Sequence, residues 1–316
     1  MRPKKCDTLF RMKKVTSIVC LLFACFGAFG WNDMGHMTVA AIAWQNLTPA
    51  ARTKVSQLLQ LNPSYSTWTA NVTDASLKDE VAFIMAATWP DAIKTTPGYT
   101  NDGDRPSGSA ASQNIGYSDK LQHRYFHFID LPFSTDSTAL EQPVAPNAKT
   151  QIAVFRGVLA SAASSNDVKS YDLVWLEHMI GDVHQPLHAT SRFDKVQPHG
   201  DRGGNLVSLC SPPCKDELHG FWDGLIGTSK DPMAARKAGG IIKTADPAQA
   251  KIADEAVWIQ ESFDWAKKSV YIAPVGAGAG PYTLDSTYTV NARKLATQRV
   301  ALAGARLANL INTALK

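Results

Sequence analysis

From Met37 onward, apolar side chains return every three or four positions through three runs, Met37 to Leu47, Val55 to Leu61 and Val81 to Trp89. That spacing marks one face of a helix and excludes the two-residue alternation of a half-buried strand. Each run carries an apolar stripe that another helix must cover. Start signals fall where the periodicity requires them. Thr48-Pro49 and Asp246-Pro247 pair an N-cap residue with proline in the first turn, and Asn147 and Ser170 stand as caps ahead of later helical runs. The alanine- and leucine-rich tail from Ala292 to Leu315 contains no proline to interrupt it. Strand signals are confined to Gly203 to Leu209, enough for one short ribbon. No repeat or compositional break divides the chain, so we expect an all-α fold, a single compact multi-helix domain with at most that ribbon. The stretch Thr95 to Ser118, with four glycines and two prolines, is too long for a simple connection and is expected to line a site. Pro274 to Pro281 reads only as a linker before the last helix.

The 316 residues carry a formal net charge of +4, a balance that invites an anionic partner. The origin of that charge decides the matter. Arg2, Lys4, Lys5, Arg11, Lys13 and Lys14 face one acid, Asp7, ahead of the apolar run VTSIVCLLFACFGAFG. Residues 1–30 thus read as a secretory signal cleaved after Gly30. A retained anchor is the weaker alternative, because only 16 uncharged residues separate Lys14 from Trp31 and about 20 are needed to span a bilayer. Loss of six bases and one acid leaves residues 31–316 with a net charge of −1. The expected product is secreted or periplasmic, without stable membrane association, and has no Lys/Arg cluster for gripping a duplex. Cys6, Cys20 and Cys25 depart with the leader, while Cys210 and Cys214 bracket Ser-Pro-Pro. In an exported chain a local disulfide is expected between them; a two-cysteine zinc site is the alternative, but no further cysteine remains to complete a thiolate cluster.

Histidines and aspartates carry the chemistry. In EHMIGDVHQPLH, His178 and Asp182 stand four apart, which on a helix puts them one turn apart on one side. Pro186 ends that helix near His184 and leaves His188 in the turn beyond. ELHGFWDGLI repeats the device with His219 and Asp223. One such pair is ordinarily a solvated ion pair or a cap. Two pairs and a third histidine point to a metal, since imidazole and carboxylate are what zinc accepts when thiolate is absent. His127, Asp91 and His36, taken singly, read as a core histidine, a helix cap and a surface residue. His123, His184 and His199 lack motif partners and read as surface residues.

Taken together and in order, WNDMGH with Trp31 and His36, WPDAIK, HFID, HMIGDVHQPLH, GGN at residues 203–205 and LHGFWD resemble a known family. It is that of the zinc-dependent single-strand nucleases of fungi and plants, the nuclease P-one and nuclease S-one type, with secreted bacterial relatives. The resemblance covers nearly all of the mature chain and implies the three-zinc fold shared with bacterial zinc phospholipase C. It implies three Zn²⁺: one on the free amine and carbonyl of Trp31 with His36 and Asp182, a second on Asp91, His127 and His178 with Asp182 bridging, and a third on His188, His219 and Asp223. Three carboxylates against three dications leave the site formally positive, so the metals would attract phosphate that the protein's own charge does not.

The resemblance further implies hydrolysis of single-stranded DNA and RNA to 5′-phosphorylated products, with 3′-nucleotides as further substrates. Asp91 would be the catalytic carboxylate that orients the attacking water, with Lys94 and Asn205 beside the phosphate. Phe128 would offer a platform for an exposed base and Asp130 would read its edge. Without the resemblance these four would pass as a solvated lysine, a turn asparagine, a core phenylalanine and a turn aspartate. The phospholipase is the rival enzyme, opposed by His36 standing only five residues after Trp31 and by Asp223 where that enzyme has glutamate. A periplasmic zinc-storage or zinc-sensing protein is the rival from another class, in which Lys94, Phe128, Asp130 and Asn205 would have no role. One consequence is direct: an extra residue before Trp31 blocks the chelating amine, so such an extended protein should lose or weaken one zinc by metal analysis and lose most of its activity. Full metal content and rate in the extended protein would remove Trp31 from the ligand set.

Overall fold

Helices begin where a side-chain oxygen can accept the first unpaired amides. The computed structural model describes residues 31–210 and 214–316, and the leader read from the sequence lies outside them. Helix α1 (Asp33–Asn46) starts at Asn32 and α2 (Pro49–Leu59) at Thr48, each accepting from a first-turn amide. Short α3 (Tyr65–Thr69), α4 (Lys78–Ala86) and α5 (Trp89–Ala92) follow. Asn147 and Thr150 form a reciprocal capping box at the start of α6 (Ala148–Ala160). The cap of α7 (Asn166–Asp182) is Ser165. Ser170, expected to cap, instead lies buried inside the helix, where its hydroxyl donates to the Leu58 carbonyl at 2.7 Å. Beyond α8 (Leu218–Asp223), aspartates 231, 246, 254 and 285 cap α9 (Pro232–Ile241), α10 (Pro247–Ala250), α11 (Glu255–Trp265) and α12 (Ser286–Ala314). The fold is all-α, as the periodicity requires.

Helix α7 is buried on every side from Ser170 to Asp182, and α1 from Met34 to Trp44. Such helices form the middle of a layered structure. Helix α1 packs on α12, α9, α4 and α7, while α7 packs on α6, α12, α2 and α5. The Trp175 ring on α7 meets Phe126 edge-on at 5.3 Å and Trp89 at 6.4 Å, the geometry aromatic quadrupoles favour. Where α1 meets α7, His36 stacks on His178 with centroids 3.7 Å apart. Gly181 permits this approach, since a Cβ there would lie 2.9 Å from His36 Nδ1, and Gly35 makes room for Trp31, whose Cβ would lie 2.6 Å from a Cβ at that position.

The C-terminal helix is locked by charge. Glu261 on α11 accepts from Arg299 at 2.9 Å and from both terminal nitrogens of Arg306 at 2.7 and 2.8 Å. Arg306 also donates to His184 Nε2 at 2.9 Å, while His184 Nδ1 donates to the Ile180 carbonyl. His184 is therefore fully buried, not a surface residue, and its ring nitrogens are both satisfied. His123 is corrected in the same way: it is buried between Asp119 and the Tyr125 hydroxyl, at 2.9 Å each, and stacked on Phe126.

Two small ladders position loops. Strand β1 (Pro132–Ser134) runs parallel to β2 (Ser191–Phe193), a pairing the sequence did not signal. It extends through the Ile129 amide, which donates to the His188 carbonyl at 2.8 Å. The expected ribbon pairs β3 (Ser208–Leu209) with β4 (Asp216–Glu217), and a disulfide joins Cys210 to Cys214 beside it. The segment 274–281 is more than a linker, for the buried Arg192 guanidinium donates to Gly276 and Gly278 carbonyls at 2.7 and 2.6 Å. Among the described residues no helix is long and apolar enough to cross a membrane.

Asp172, fully buried on α7, accepts from Asn114 through one oxygen at 2.9 Å, and among the described residues its other oxygen has no hydrogen-bond partner. Burial pushes its carboxyl up to about 8, against the pull of Asn114. An unfolded aspartate ionises near 4, so the folded chain keeps a proton that the unfolded chain releases. Its contribution is fully present below about pH 4 and is lost as pH rises through about 8. Asp172→Asn should abolish that loss and stabilise the fold at the alkaline end by on the order of 2 kcal/mol, read by urea unfolding across the pH range. Parallel pH profiles for the two proteins would contradict this.

Candidate metal centre

The site begins at the crossing of α1 and α7. Three groups of side chains could each hold a cation: His36, Asp91 and His178; His127, His178 and Asp182; and His188, His219 and Asp223. All are buried, and His178 belongs to two groups. Asp182, the last residue of α7, is central. One oxygen lies 3.2 Å from His36 Nε2, and the other lies 3.1 Å from both His127 Nδ1 and His178 Nε2. Asp91 Oδ1 stands 3.7 and 3.8 Å from the same nitrogens of His178 and His127. Trp31 is wholly buried beside this group, its indole donating to the Gly181 carbonyl at 3.0 Å.

Backbone carbonyls fix the imidazoles. His178, His188 and His219 each turn Nδ1 toward a carbonyl, of Ala87, His127 and Gly203, at 2.7, 2.8 and 2.7 Å. A carbonyl only accepts, so Nδ1 carries the proton and Nε2 of the neutral ring holds a lone pair. The Nε2 atoms of His188 and His219 nevertheless face each other at 3.1 Å, with Asp223 Oδ2 3.4 Å from His219. Two lone pairs and a carboxylate at that range require a cation or a shared proton among them. The first groups pose the same demand: among the described residues, both ring nitrogens of His36 and one oxygen of Asp182 are buried without a hydrogen-bond partner. Imidazole and carboxylate donors, with the cysteines of the described residues tied in a disulfide, suit zinc.

Charge follows geometry. Burial raises Asp91, but Lys94 and the imidazoles of His178, His127 and His36 more than offset it and hold its carboxyl far below the usual range. Lys94 Nζ donates to Asp91 Oδ1 at 2.7 Å from within the protein. Burial also lowers His127 to about 3, helped by Lys94. Asp223 behaves oppositely: burial pushes it well above the carboxylate range, with Gln185 pulling back. A cation arriving there displaces a proton.

The remaining sequence-read residues stand on segments next in sequence to the candidate ligands or to the loop that orients one of them. Phe128 and Asp130 line an open pocket with Asp104, Arg105, Glu141 and His199. Burial, and then the charge of Asp201, pushes the Asp130 carboxyl up to about 7. Asn205 follows Gly203 and Gly204, and its amide donates to the Arg202 carbonyl at 2.7 Å within its own loop. His199 is exposed, as expected, but it has a partner in Glu141 at 2.7 Å.

Sequence reasoning missed Gln185. Its amide nitrogen donates to Asp223 Oδ1 at 2.7 Å while its oxygen accepts from the Leu187 amide, so it ties α8 to the turn bearing His188. The available signal was its place between His184 and Pro186, where an N-capping side chain serves the next turn. Gln185→Leu should weaken zinc binding in the His188 group about tenfold, measured by competition with a chromogenic chelator. Unchanged affinity would reduce Gln185 to a loop cap.

A family model described as S1/P1 Nuclease matches residues 31–316. Endonuclease 2 of Arabidopsis thaliana is 24% identical over 314 residues, which cover 93% of this chain and 93% of that protein. Endonuclease 3 of the same plant is 24% identical over 324 residues, covering 94% and 93%. A shorter match, 34% identical over 73 residues, joins 22% of the chain to 22% of Endonuclease 4. The family model takes in all three candidate metal groups together with the residues between them. The chain belongs to the S1/P1 nuclease family.

Proposed function

We propose that this nuclease is a secreted or periplasmic, zinc-dependent endonuclease that hydrolyses single-stranded DNA and RNA to 5′-phosphorylated products and also removes phosphate from 3′-nucleotides. Residues 31–316 form the working enzyme in this reading, with Trp31 as the mature terminus. One zinc ion is assigned to each of three ligand sets, which divide the first two candidate groups differently: Trp31 and His36 with Asp182; Asp91, His127 and His178, with Asp182 shared; and His188, His219 and Asp223, which is the third group itself. Zinc held there supplies Lewis-acid polarisation of the phosphate and acidifies water near neutrality. The carrying observation is the convergence on Asp182, with His36 at 3.2 Å and His127 and His178 at 3.1 Å.

The chain's own residues do the rest. Asp91 Oδ1 is tied to Lys94, which leaves Oδ2 to accept a hydrogen bond from the attacking water and align it. Lys94 can share its ammonium with an incoming phosphate oxygen, and the Asn205 amide is the second phosphate donor. Phe128, partly buried at the pocket, stacks an unpaired base. Asp130 accepts hydrogen bonds from that base. A stacked duplex offers no free base face to Phe128, and this is the source of single-strand preference.

Protein beginning at Trp31 and loaded with zinc should cleave heat-denatured DNA much faster than duplex and should leave phosphatidylcholine intact. A chelator should stop cleavage and added zinc restore it, with 3′-AMP releasing phosphate in the same preparation. Phospholipid hydrolysis without nucleic-acid cleavage, or tight zinc binding with no turnover, would overturn the reading.

A further inference from the structure

The pocket that holds Phe128 and Asp130 is closed at its rim by a chain of charges from three separate loops. Arg105 belongs to the long glycine-bearing stretch, Glu141 to the segment before α6, and His199 to the loop after β2. Glu141 accepts from Arg105 Nη2 at 2.9 Å through one oxygen and from His199 Nδ1 at 2.7 Å through the other. Arg105 is 76% exposed and Glu141 40%. A solvated arginine held at the mouth of a concave site, when stability gains little from such a surface pair, calls for another role. Glu141 engages one edge of the guanidinium, whose planar fork has five N–H donors.

We propose that Arg105 is a specificity-determining residue that, with Asp130, selects guanine for this pocket; the inference rests on the nuclease reading for its substrate. Guanine presents acceptors O6 and N7 on one edge, which a guanidinium fork matches bidentately. On the adjoining edge its N1–H and amino group are donors, which a carboxylate accepts together. Stacked on Phe128, one base can meet both groups in a single plane. Adenine in the same pose keeps N7 for the fork but turns its amino group toward the other guanidinium nitrogen and a bare ring nitrogen toward the carboxylate, so one fork contact is lost and the carboxylate contact becomes repulsive. Pyrimidines lack the N7 that the fork requires. Glu141 and His199 act through Arg105 as positioning residues, holding the fork over the opening instead of leaving it to sweep through solvent.

Two measurements test this, both well above neutrality so that Asp130 is charged. Calorimetry with guanosine, adenosine and cytidine 5′-monophosphates on the zinc-loaded protein should rank guanosine first by roughly tenfold. Cleavage of short single strands that differ in one base beside the cut should give the same ranking in kcat/KM. Arg105→Gln should bring both ratios to within about twofold. Arg105→Lys, which keeps the charge but not the fork, should behave like Arg105→Gln. A wild-type protein indifferent to the base, or a guanine preference that survives in Arg105→Gln or Arg105→Lys, overturns the inference. Guanosine selectivity in binding with no strand cleaved would instead overturn the nuclease reading and leave this one standing.

Discussion

Buried imidazole nitrogens and carboxylates gathered in one interior govern this molecule. Three histidines have their Nδ1 protons committed to backbone carbonyls, so their Nε2 atoms turn inward, toward neighbouring imidazoles and carboxylates. Aspartates 91, 182 and 223 face the same space. Buried lone pairs and carboxylates at this density are costly unless paired, and Lys94 and Gln185 meet part of the demand by donating to Asp91 and Asp223. The surrounding structure therefore serves to keep like-natured groups together against their repulsion. Helix α7 is sheathed by α1, α2, α6 and α12, and its buried length stops it bending away. Gly181 lets α1 come close enough for the His36 and His178 rings to stack.

A second concentration of charge is resolved without a metal. Around Glu261, two guanidiniums and His184 satisfy one another, with opposite signs in contact and every nitrogen aimed at an acceptor. Replacing such a buried network by well-packed apolar groups often leaves stability unchanged or improved, so it is weak evidence of strength and better evidence of register. Here it fixes how α12 lies across the end of α7, within a few residues of Asp182. The two clusters divide the labour: one sets the position of the helix and the other uses its tip.

Much of this was legible in the residues. The three-and-four periodicity located α1, α2 and α4, and Thr48, Asn147 and Asp246 marked true starts. Ser170 misled because a serine inside a helix and a serine before one look alike until its partner, the carbonyl of Leu58, is known. The four-residue spacings exposed His178 with Asp182 and His219 with Asp223, since one helix supplies both members. His36, Asp91 and His127 were recognisable only through the ordered motifs, because their neighbours come from other elements. The same holds for His184, misread as a surface residue, whereas His123, misread likewise, finds Asp119, Tyr125 and Phe126 within four positions of itself. The guanidinium that buries His184 belongs to Arg306, 122 positions away, and no local pattern encodes such a distance. The β1–β2 pairing escaped for a similar reason: two three-residue strands from remote segments leave no alternation long enough to detect.

Gly203 carries a consequence of its own. Its carbonyl orients His219, its backbone has φ +60°, and a Cβ there would lie 2.2 Å from the Leu187 carbonyl. The turn that carries His188, the loop that ends in Asn205 and the helix that holds His219 and Asp223 are thereby geared to one another through a single atom-sized gap. Anyone grafting a loop from a plant homologue to alter substrate range would have to transplant these three segments as a set. Exchanging one alone would carry His188, His219, Asp223 and the loop of Asn205 out of alignment together.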